Sequence, residues 1–335
     1  MRALPLAAVL IALATAAACA SDGDSDPERP ARAADPATAA AVDRWRTLHP
    51  APLARTEVGA ARIGRFIYVV GGFVPPGETT AAVERYDIRS DRWRREPPMP
   101  IAVNHPAVAA HRGRLYVYGG YTDSSFQNVT AALQRYDPAR RRWARLPSSP
   151  TARAAAGLAA IGGRLFAIGG ARDGAPLALL ETFDPAASRW RSGPRMAVAR
   201  EHIATAAVDG RLYVFGGRAG GRNLAVAERF DSRSGRWSRL PPLRVKRSGI
   251  AAATVGDRIA VFGGEQLSEG ARTIRPVELL DTRTRAWTRL PGMLTPRHGL
   301  GGASFGRRVY ALEGGPSPGF AFSRRIEFLD LSPGG

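Results

Sequence analysis

The chain has 335 residues, 44% of them hydrophobic and 8% aromatic, enough to bury a large core and too many for one small domain. It carries 48 Lys+Arg against 29 Asp+Glu, a formal charge of +19, and a single cysteine, so no intrachain disulfide can form. Glycine (37) and proline (26) are abundant without a triplet period, which excludes collagen and favours a turn-rich all-β chain.

The N-terminus reads MRALPLAAVLIALATAAACA, with one positive charge at Arg2 and an apolar run from Ala3 to Ala18. The run is shorter than the roughly 20 apolar residues of a membrane span and fits a secretory signal over residues 1–18. Ala16-Ala17-Ala18-Cys19 resembles the lipobox of bacterial lipoproteins, with Ala16 where that family usually has Leu. In those proteins the cysteine is lipidated and begins the mature chain. The only cysteine sits where a lipobox needs it, which favours lipidation of Cys19 over ordinary cleavage after the A-x-A pattern Ala18-Cys19-Ala20. Export follows either way: a chain lipid-anchored at the cell envelope, or a secreted soluble form. Residues 19–40 hold too few large apolar side chains to fold and read as a flexible tether of net charge −3. Without this tether and Arg2, residues 41–335 stand at +21, so the basicity belongs to the folded part.

From residue 41 onward the chain repeats. Trp45, Trp93, Trp143, Trp190, Trp237 and Trp287 are spaced by 48, 50, 47, 47 and 50 residues. Paired glycines recur at Gly71-Gly72, Gly119-Gly120, Gly169-Gly170, Gly216-Gly217 and Gly263-Gly264, with Glu313-Gly314 in the sixth slot. Asp87, Asp137, Asp184, Asp231 and Asp281 each precede a tryptophan by six residues, and Asp330 ends the series without one. Each unit reads as four strands: an Ala/Gly-rich first, an aromatic and β-branched second, a third ending in Asp, and a fourth carrying the Trp. Tyr68, Tyr116, Phe166, Tyr213 and Tyr310 share one register and should pack between units; Ala260 breaks that series.

Double glycine, third-strand Asp and fourth-strand Trp at a period near 50 resemble the kelch repeat, across residues 41–335. The resemblance implies an all-β, six-bladed β-propeller. Trp45 precedes any complete repeat and the last repeat lacks its Trp strand. The segment Val42–His49 is therefore expected to supply the outer strand of the last blade, closing the ring and removing its open edges.

Most of the positive charge has a bland reading. Many arginines flank the tryptophans on the outer strands, where charge opposes edge-to-edge aggregation, and others begin the second strands. This is a distributed rim and not a nucleic-acid stripe, so nucleic acid is not an expected partner. One set stands apart. Sixteen residues before the glycine pair lie Arg55, Arg153, Arg200, Arg247 and Arg297, with Val103 in the second unit followed by Asn104 and His105. First strands line a propeller's channel, so these guanidinium groups and Asn104 are expected to converge near its mouth and bind carboxylate or phosphate. The matching arginine of other kelch propellers can contact acidic ligands. A scaffold role, bonding to loop carbonyls, stands beside that reading. His105 and His202 share the register two residues after the arginine position, and His298 lies one residue earlier. No carboxylate–His spacing accompanies them, so neither a metal nor any other cofactor is expected. Glu84, Gln134, Glu181, Glu228, Glu278 and Glu327 recur three residues before the blade aspartate, a regularity that argues for structure. The loops after the glycine pairs vary most, and Phe73, Tyr121, Phe126, Glu265 and Phe320 are their most informative residues.

Two functions follow. The first is a monomeric, noncatalytic binding propeller at the cell envelope, recognising an anionic glycan, an envelope polymer or an acidic segment of a protein partner, and touching the membrane only through its lipid. The second rests on analogy. Exported six-bladed kelch propellers include sialic acid epimerases, which act without a cofactor; here Glu201 or His202 would serve as general acid/base. A copper oxidase of the galactose oxidase type needs a Tyr–Cys cross-link inside the propeller, and Cys19 lies outside it.

Overall fold

The computed structural model describes residues 44–331, apart from 268–269. The signal, Cys19 and the whole of the tether lie outside the described residues. Within them the chain forms no helix; it builds six four-stranded antiparallel sheets and four small hairpins. Each sheet is a meander. Blade one consists of Gly59–Ile63, Phe66–Val70, Val83–Asp87 and Arg92–Glu96, from axis to rim. The first strands of successive blades contact one another in a closed cycle, and the first strand of blade six, Gly301–Phe305, meets that of blade one. The architecture is a six-bladed β-propeller.

Closure falls where the unpaired tryptophan implies. Trp45–Thr47 joins Ile326–Asp330 as the outer strand of blade six, with Trp45 opposite Leu329 and Thr47 opposite Glu327. The six tryptophans then share one job. Each indole N–H donates across to the end of the preceding outer strand: Trp143 to the Pro97 carbonyl (2.8 Å), Trp190 to Pro147 (2.8 Å), Trp45 to Pro291 (2.9 Å) and Trp93 to His49 (3.0 Å). The last two cross the closure, so the rim is stitched all the way round.

Small residues at the axis are a packing requirement. A Cβ on Gly59 would lie 2.2 Å from Val108 Cγ2, and one on Gly157 would lie 2.1 Å from Thr205 Cγ2. Larger side chains there would hold neighbouring blades apart. The second strands are buried along most of their length and supply the layers between blades: Tyr68 and Val70 of blade one pack with Leu115, Val117 and Tyr136 of blade two. The blade aspartates accept backbone N–H groups of the following turn, as Asp231 does from Arg233 (3.0 Å) and Ser234 (3.2 Å). The same carboxylates pair with second-strand arginines, including Arg114–Asp137 and Arg211–Asp231. These half-exposed pairs absorb part of the basic rim and add little stability.

The glycine pair has a specific task. In blade two, Gly119 (φ 63°) and Gly120 (φ 107°) turn the chain under its neighbour, and Gly120 N–H donates to the Arg153 carbonyl of blade three at 3.0 Å. The same bond runs from Gly72 to Val103, Gly170 to Arg200, Gly217 to Arg247, Gly264 to Arg297 and Gly314 to Arg55. A complete circle of inter-blade hydrogen bonds thus passes through the carbonyls of the arginine register.

Candidate functional site

The arginine register builds the blades and does not ring the channel. Arg55, Arg153, Arg200, Arg247 and Arg297 are all 0% exposed. Each turns into its own blade and meets that blade's third-strand glutamate: Arg55–Glu84 (3.0 Å), Arg153–Glu181 (3.0 Å), Arg200–Glu228, Arg247–Glu278 (2.5 Å) and Arg297–Glu327 (3.2 Å). Other donors of the set reach backbone carbonyls, such as Arg247 to Pro276 (2.6 Å) and Arg297 to Arg325 (2.6 Å). The expected convergence at the mouth fails for a physical reason. A guanidinium aimed inward finds a carboxylate and backbone acceptors that need it, and one aimed outward would leave that glutamate buried and alone. Blade two confirms the coupling: Val103 replaces the arginine, and Gln134 replaces the glutamate and bonds the Ile101 backbone instead. Blade six adds an exception. Glu313, in the slot of a first glycine, puts a second carboxylate on Arg55 at 2.8 Å and 2.9 Å.

The channel mouth is built by the next two residues of the same register. Glu57, His105, Ala155, His202, Gly249 and Gly299 follow that position by two, and all have φ between 50° and 62°. Their backbones form a ring: His105 N–H donates to Glu57 C=O (3.0 Å), Ala155 to His105 (3.0 Å), His202 to Ala155 (2.9 Å), Gly249 to His202 (3.0 Å) and Gly299 to Gly249 (2.9 Å). Val58 N–H closes it onto Gly299 (3.1 Å). From this ring the side chains of Glu57, His105 and His202 reach the pocket at the mouth. Four non-glycine residues held in the left-handed conformation carry a conformational cost that the surrounding ring must impose, a frequent mark of a functional site. The residue just before each ring position bridges the first residue after a glycine pair: Thr56 to Phe73, Asn104 to Tyr121, Glu201 to Arg218, Ser248 to Glu265 and His298 to Gly315. Three repeat positions per blade therefore furnish the site.

Together they enclose a pocket of about 280 Å³. Its floor holds Glu57, His105, His202, Arg218, Glu265 and His298; Phe73, Phe126, Leu267 and Phe320 form its wall. Phe73 meets Phe320 edge-on at 5.1 Å between centroids and Phe126 at 5.8 Å, while Phe126 and Phe320 stack at 6.3 Å and stay largely exposed. Tyr121 packs on the side of His105 and Phe126. The varied loops thus supply an aromatic rim over an ionisable floor.

The floor is a connected network. Glu201 pairs with His202 Nδ1 and accepts from Arg218 Nε at 2.5 Å, and Arg218 also reaches Glu265 (3.2 Å) and His202 Nε2 (3.2 Å). Glu57 faces His105 Nε2 at 3.2 Å and His298 Nε2 at 3.4 Å. The His105 and His202 rings lie 4.7 Å apart. Burial pushes the His105 imidazole down to about 3, against the pull of Glu57. Burial alone would raise Glu201; the adjacent His202 and Arg218 prevail and hold it down to about 2. Glu57 behaves alike, burial being outweighed by its three facing imidazoles and Arg218. Glu265 is shifted upward, chiefly by burial.

The family model for the Kelch motif matches residues 54–100, 103–150, 152–197 and 199–244, more than half of the chain. The chain belongs to the kelch family. No curated protein sequence matches it. Among solved structures, that of YjhT superposes with a TM-score of 0.74 at 15% identity, over 85% of this chain and 97% of that one. At that identity the likeness shows the fold alone.

Seen as a kelch propeller, the chain divides its predicted residues cleanly. His202 lines the pocket, and Glu201 stands behind it, against His202 Nδ1 and Arg218 Nε. Asn104 sits one step behind it, with its Oδ1 at 2.6 Å from His105 Nδ1 and its amide N–H groups donating to Thr79 Oγ1 (2.7 Å) and the Asp123 carbonyl (3.0 Å). The five arginines lie inside the blades. Glu57 and Arg218 were not singled out by sequence. The signal for both was present: each occupies a repeat position whose residue type changes from blade to blade, two residues after the arginine position for Glu57 and directly after a glycine pair for Arg218.

Proposed function

We propose that this kelch propeller binds a small polyhydroxylated molecule, a sugar ring or similar polyol, in the pocket at the channel mouth. The carrying observation is the pairing of an aromatic rim (Phe73, Phe126, Phe320) with an acid- and imidazole-rich floor in one open pocket. Aromatic faces take the C–H face of a sugar ring, and carboxylates, imidazoles and the Arg218 fork take its hydroxyls. An anionic ligand has less support. The five arginines that motivated it are sealed in ion pairs, and Glu57 and Glu265, with Glu201 behind His202, make the floor acidic. Export, with Cys19 as lipid anchor, is part of this reading and places the pocket at the envelope, facing exogenous or wall-derived sugars. The test is a glycan and monosaccharide binding screen on the purified chain, with Phe126→Ala/Phe320→Ala as the paired variant. Binding that survives removal of both rings would overturn the pocket assignment.

One observation favours a second, catalytic reading. Two carboxylate–imidazole pairs, Glu57–His105 and Glu201–His202, face each other across the floor. Interconversion of sugar anomers needs one group to take a proton and another to give one, without a cofactor. NMR of sialic acid and neutral-sugar anomers with added protein decides it: unchanged exchange rates remove this option.

A further inference from the structure

The histidines of the floor are oriented in one way. His105 Nδ1 faces Asn104 Oδ1 at 2.6 Å, His202 Nδ1 faces the Glu201 carboxylate, and His298 Nδ1 faces the Gly315 carbonyl at 3.2 Å. The Asn104 amide is itself oriented, because its nitrogen must be the atom that donates to the Asp123 carbonyl. All three facing atoms are oxygens that only accept. Each neutral ring therefore carries its proton on Nδ1 and turns an Nε2 lone pair into the pocket. For His105 and His298 that lone pair points at a carboxylate, Glu57, at 3.2 Å and 3.4 Å. A lone pair facing a carboxylate repels it unless a proton or a metal cation lies between them, and a metal cation can serve both rings at once.

Charge and spacing agree. Among the described residues, Glu57 and Glu265 of the floor and Glu201 behind His202 set three carboxylates against the one guanidinium of Arg218. With neutral imidazoles the excess is the charge of one divalent cation. Glu57, His105 and His202 bring ligand atoms all within 4.8 Å of one another, and His298 Nε2 stands beside Glu57. Chain spacing gives no hint of this, since the carboxylate and the imidazoles come from blades one, two, four and six. We propose that Glu57, His105, His202 and His298 form a site for a divalent transition metal of the zinc type, at the floor of the pocket and open toward it. Imidazole and carboxylate donors suit zinc and its first-row neighbours, and a His ring held through its second nitrogen by an oxygen acceptor is the usual support of such a ligand. His202 Nε2 now accepts from Arg218 at 3.2 Å, so Arg218 is the competitor that the ion displaces.

The test needs no sugar and is independent of the ligand proposed above. The purified full chain is stripped with chelator, then titrated with Zn²⁺ and, for its visible spectrum, Co²⁺. The expected result is about one ion per chain and an intense tetrahedral Co²⁺ band. His105→Ala and Glu57→Gln are expected to weaken Zn²⁺ by ~100-fold or more, and Asn104→Ala, a positioning residue, by ~10–100-fold. Arg218→Gln is expected to tighten it by ~10-fold through loss of the competing charge, a gain that damaged folding would not produce. No stoichiometric ion in the wild type, or an ion held equally by the His105 and Glu57 variants, would overturn the site. If those variants do not fold, the Arg218 variant decides: unchanged or weakened affinity overturns it.

Discussion

Blade three places Ala154, Ala155 and Ala171 where blade four places Glu201, His202 and Arg218, on bridges of the same register and with the same left-handed turn. Beneath those positions the two blades are alike, with Arg153–Glu181 in one and Arg200–Glu228 in the other, both buried. One blade is a blank copy of the other. The lesson is a division of labour within a repeat. The arginine position and its glutamate make the blade, and three positions next to them make the site. Chemistry changed at those three positions does not disturb the strands.

The comparison breaks most severely at the shared part. Arg153→Ala and Arg200→Ala should each cost about 3–5 kcal/mol, because each leaves a buried glutamate unpaired. Urea denaturation should show equal losses in the blank and the furnished blade. An Arg200→Ala chain of unchanged stability would return that residue to the list of ligand contacts. The furnished part comes next. Copying blade three into blade four, as Glu201→Ala/His202→Ala/Arg218→Ala, should abolish pocket binding by ~100-fold or more. The fold should lose roughly 1–3 kcal/mol, since Glu201, His202 and Arg218 leave together and only Glu265 loses a partner. Calorimetry with the best ligand of the sugar screen, beside a melting curve, reads both numbers.

A pH experiment sharpens the scaffold further. Arg153 and Arg200 each serve one carboxylate, whereas Arg55 serves Glu84 and Glu313. Burial, with Glu84 nearby, pushes Glu313 up to about 7 against the pull of Arg55. In that range the folded chain keeps a proton that the unfolded chain has lost. Stability should therefore fall as pH rises from about 4.5 to 7 and level off above it. Glu313→Gln should flatten this slope, a difference on the order of 1–3 kcal/mol measured as melting temperature against pH. A slope unchanged by the substitution would assign the titration elsewhere. The smallest effect belongs to blade two. Val103→Arg/Gln134→Glu restores the pair the other blades use and should change stability by no more than ~1 kcal/mol, as buried pairs and their apolar replacements are often near balance. A double variant no better than Val103→Arg by itself would show that the two positions are not coupled.

Much of this could be read from residue pattern. The tryptophan spacing, the glycine pairs and the orphan Trp45 led to six blades and to closure by the N-terminal strand, because each reports a local geometric need repeated six times. The arginine set was read correctly as a register and wrongly as a ring. Its covariation with the glutamates, broken together at Val103 and Gln134, was the clue that the two face each other. His105 and His202 stand out as a shared register because they are the same residue type, whereas Glu57 holds the same place in blade one with a different one, so the spacing alone does not mark it as their partner.

Composition and repeat thus determined the all-β class, the number of blades and the way the ring is sealed, since hydrophobic period and turn chemistry are local properties of the chain. The direction of each side chain was settled by the assembled propeller. Whether a residue near a strand start faces the blade or the channel depends on its φ angle and on which buried partner is within reach. A strand start with φ near 50° points Glu57 and His105 at the mouth, while the residue two places earlier is drawn inward to a carboxylate. Only packing of six blades brings Glu57, His105, His202 and His298 into one pocket, for they are contributed by segments far apart in the chain.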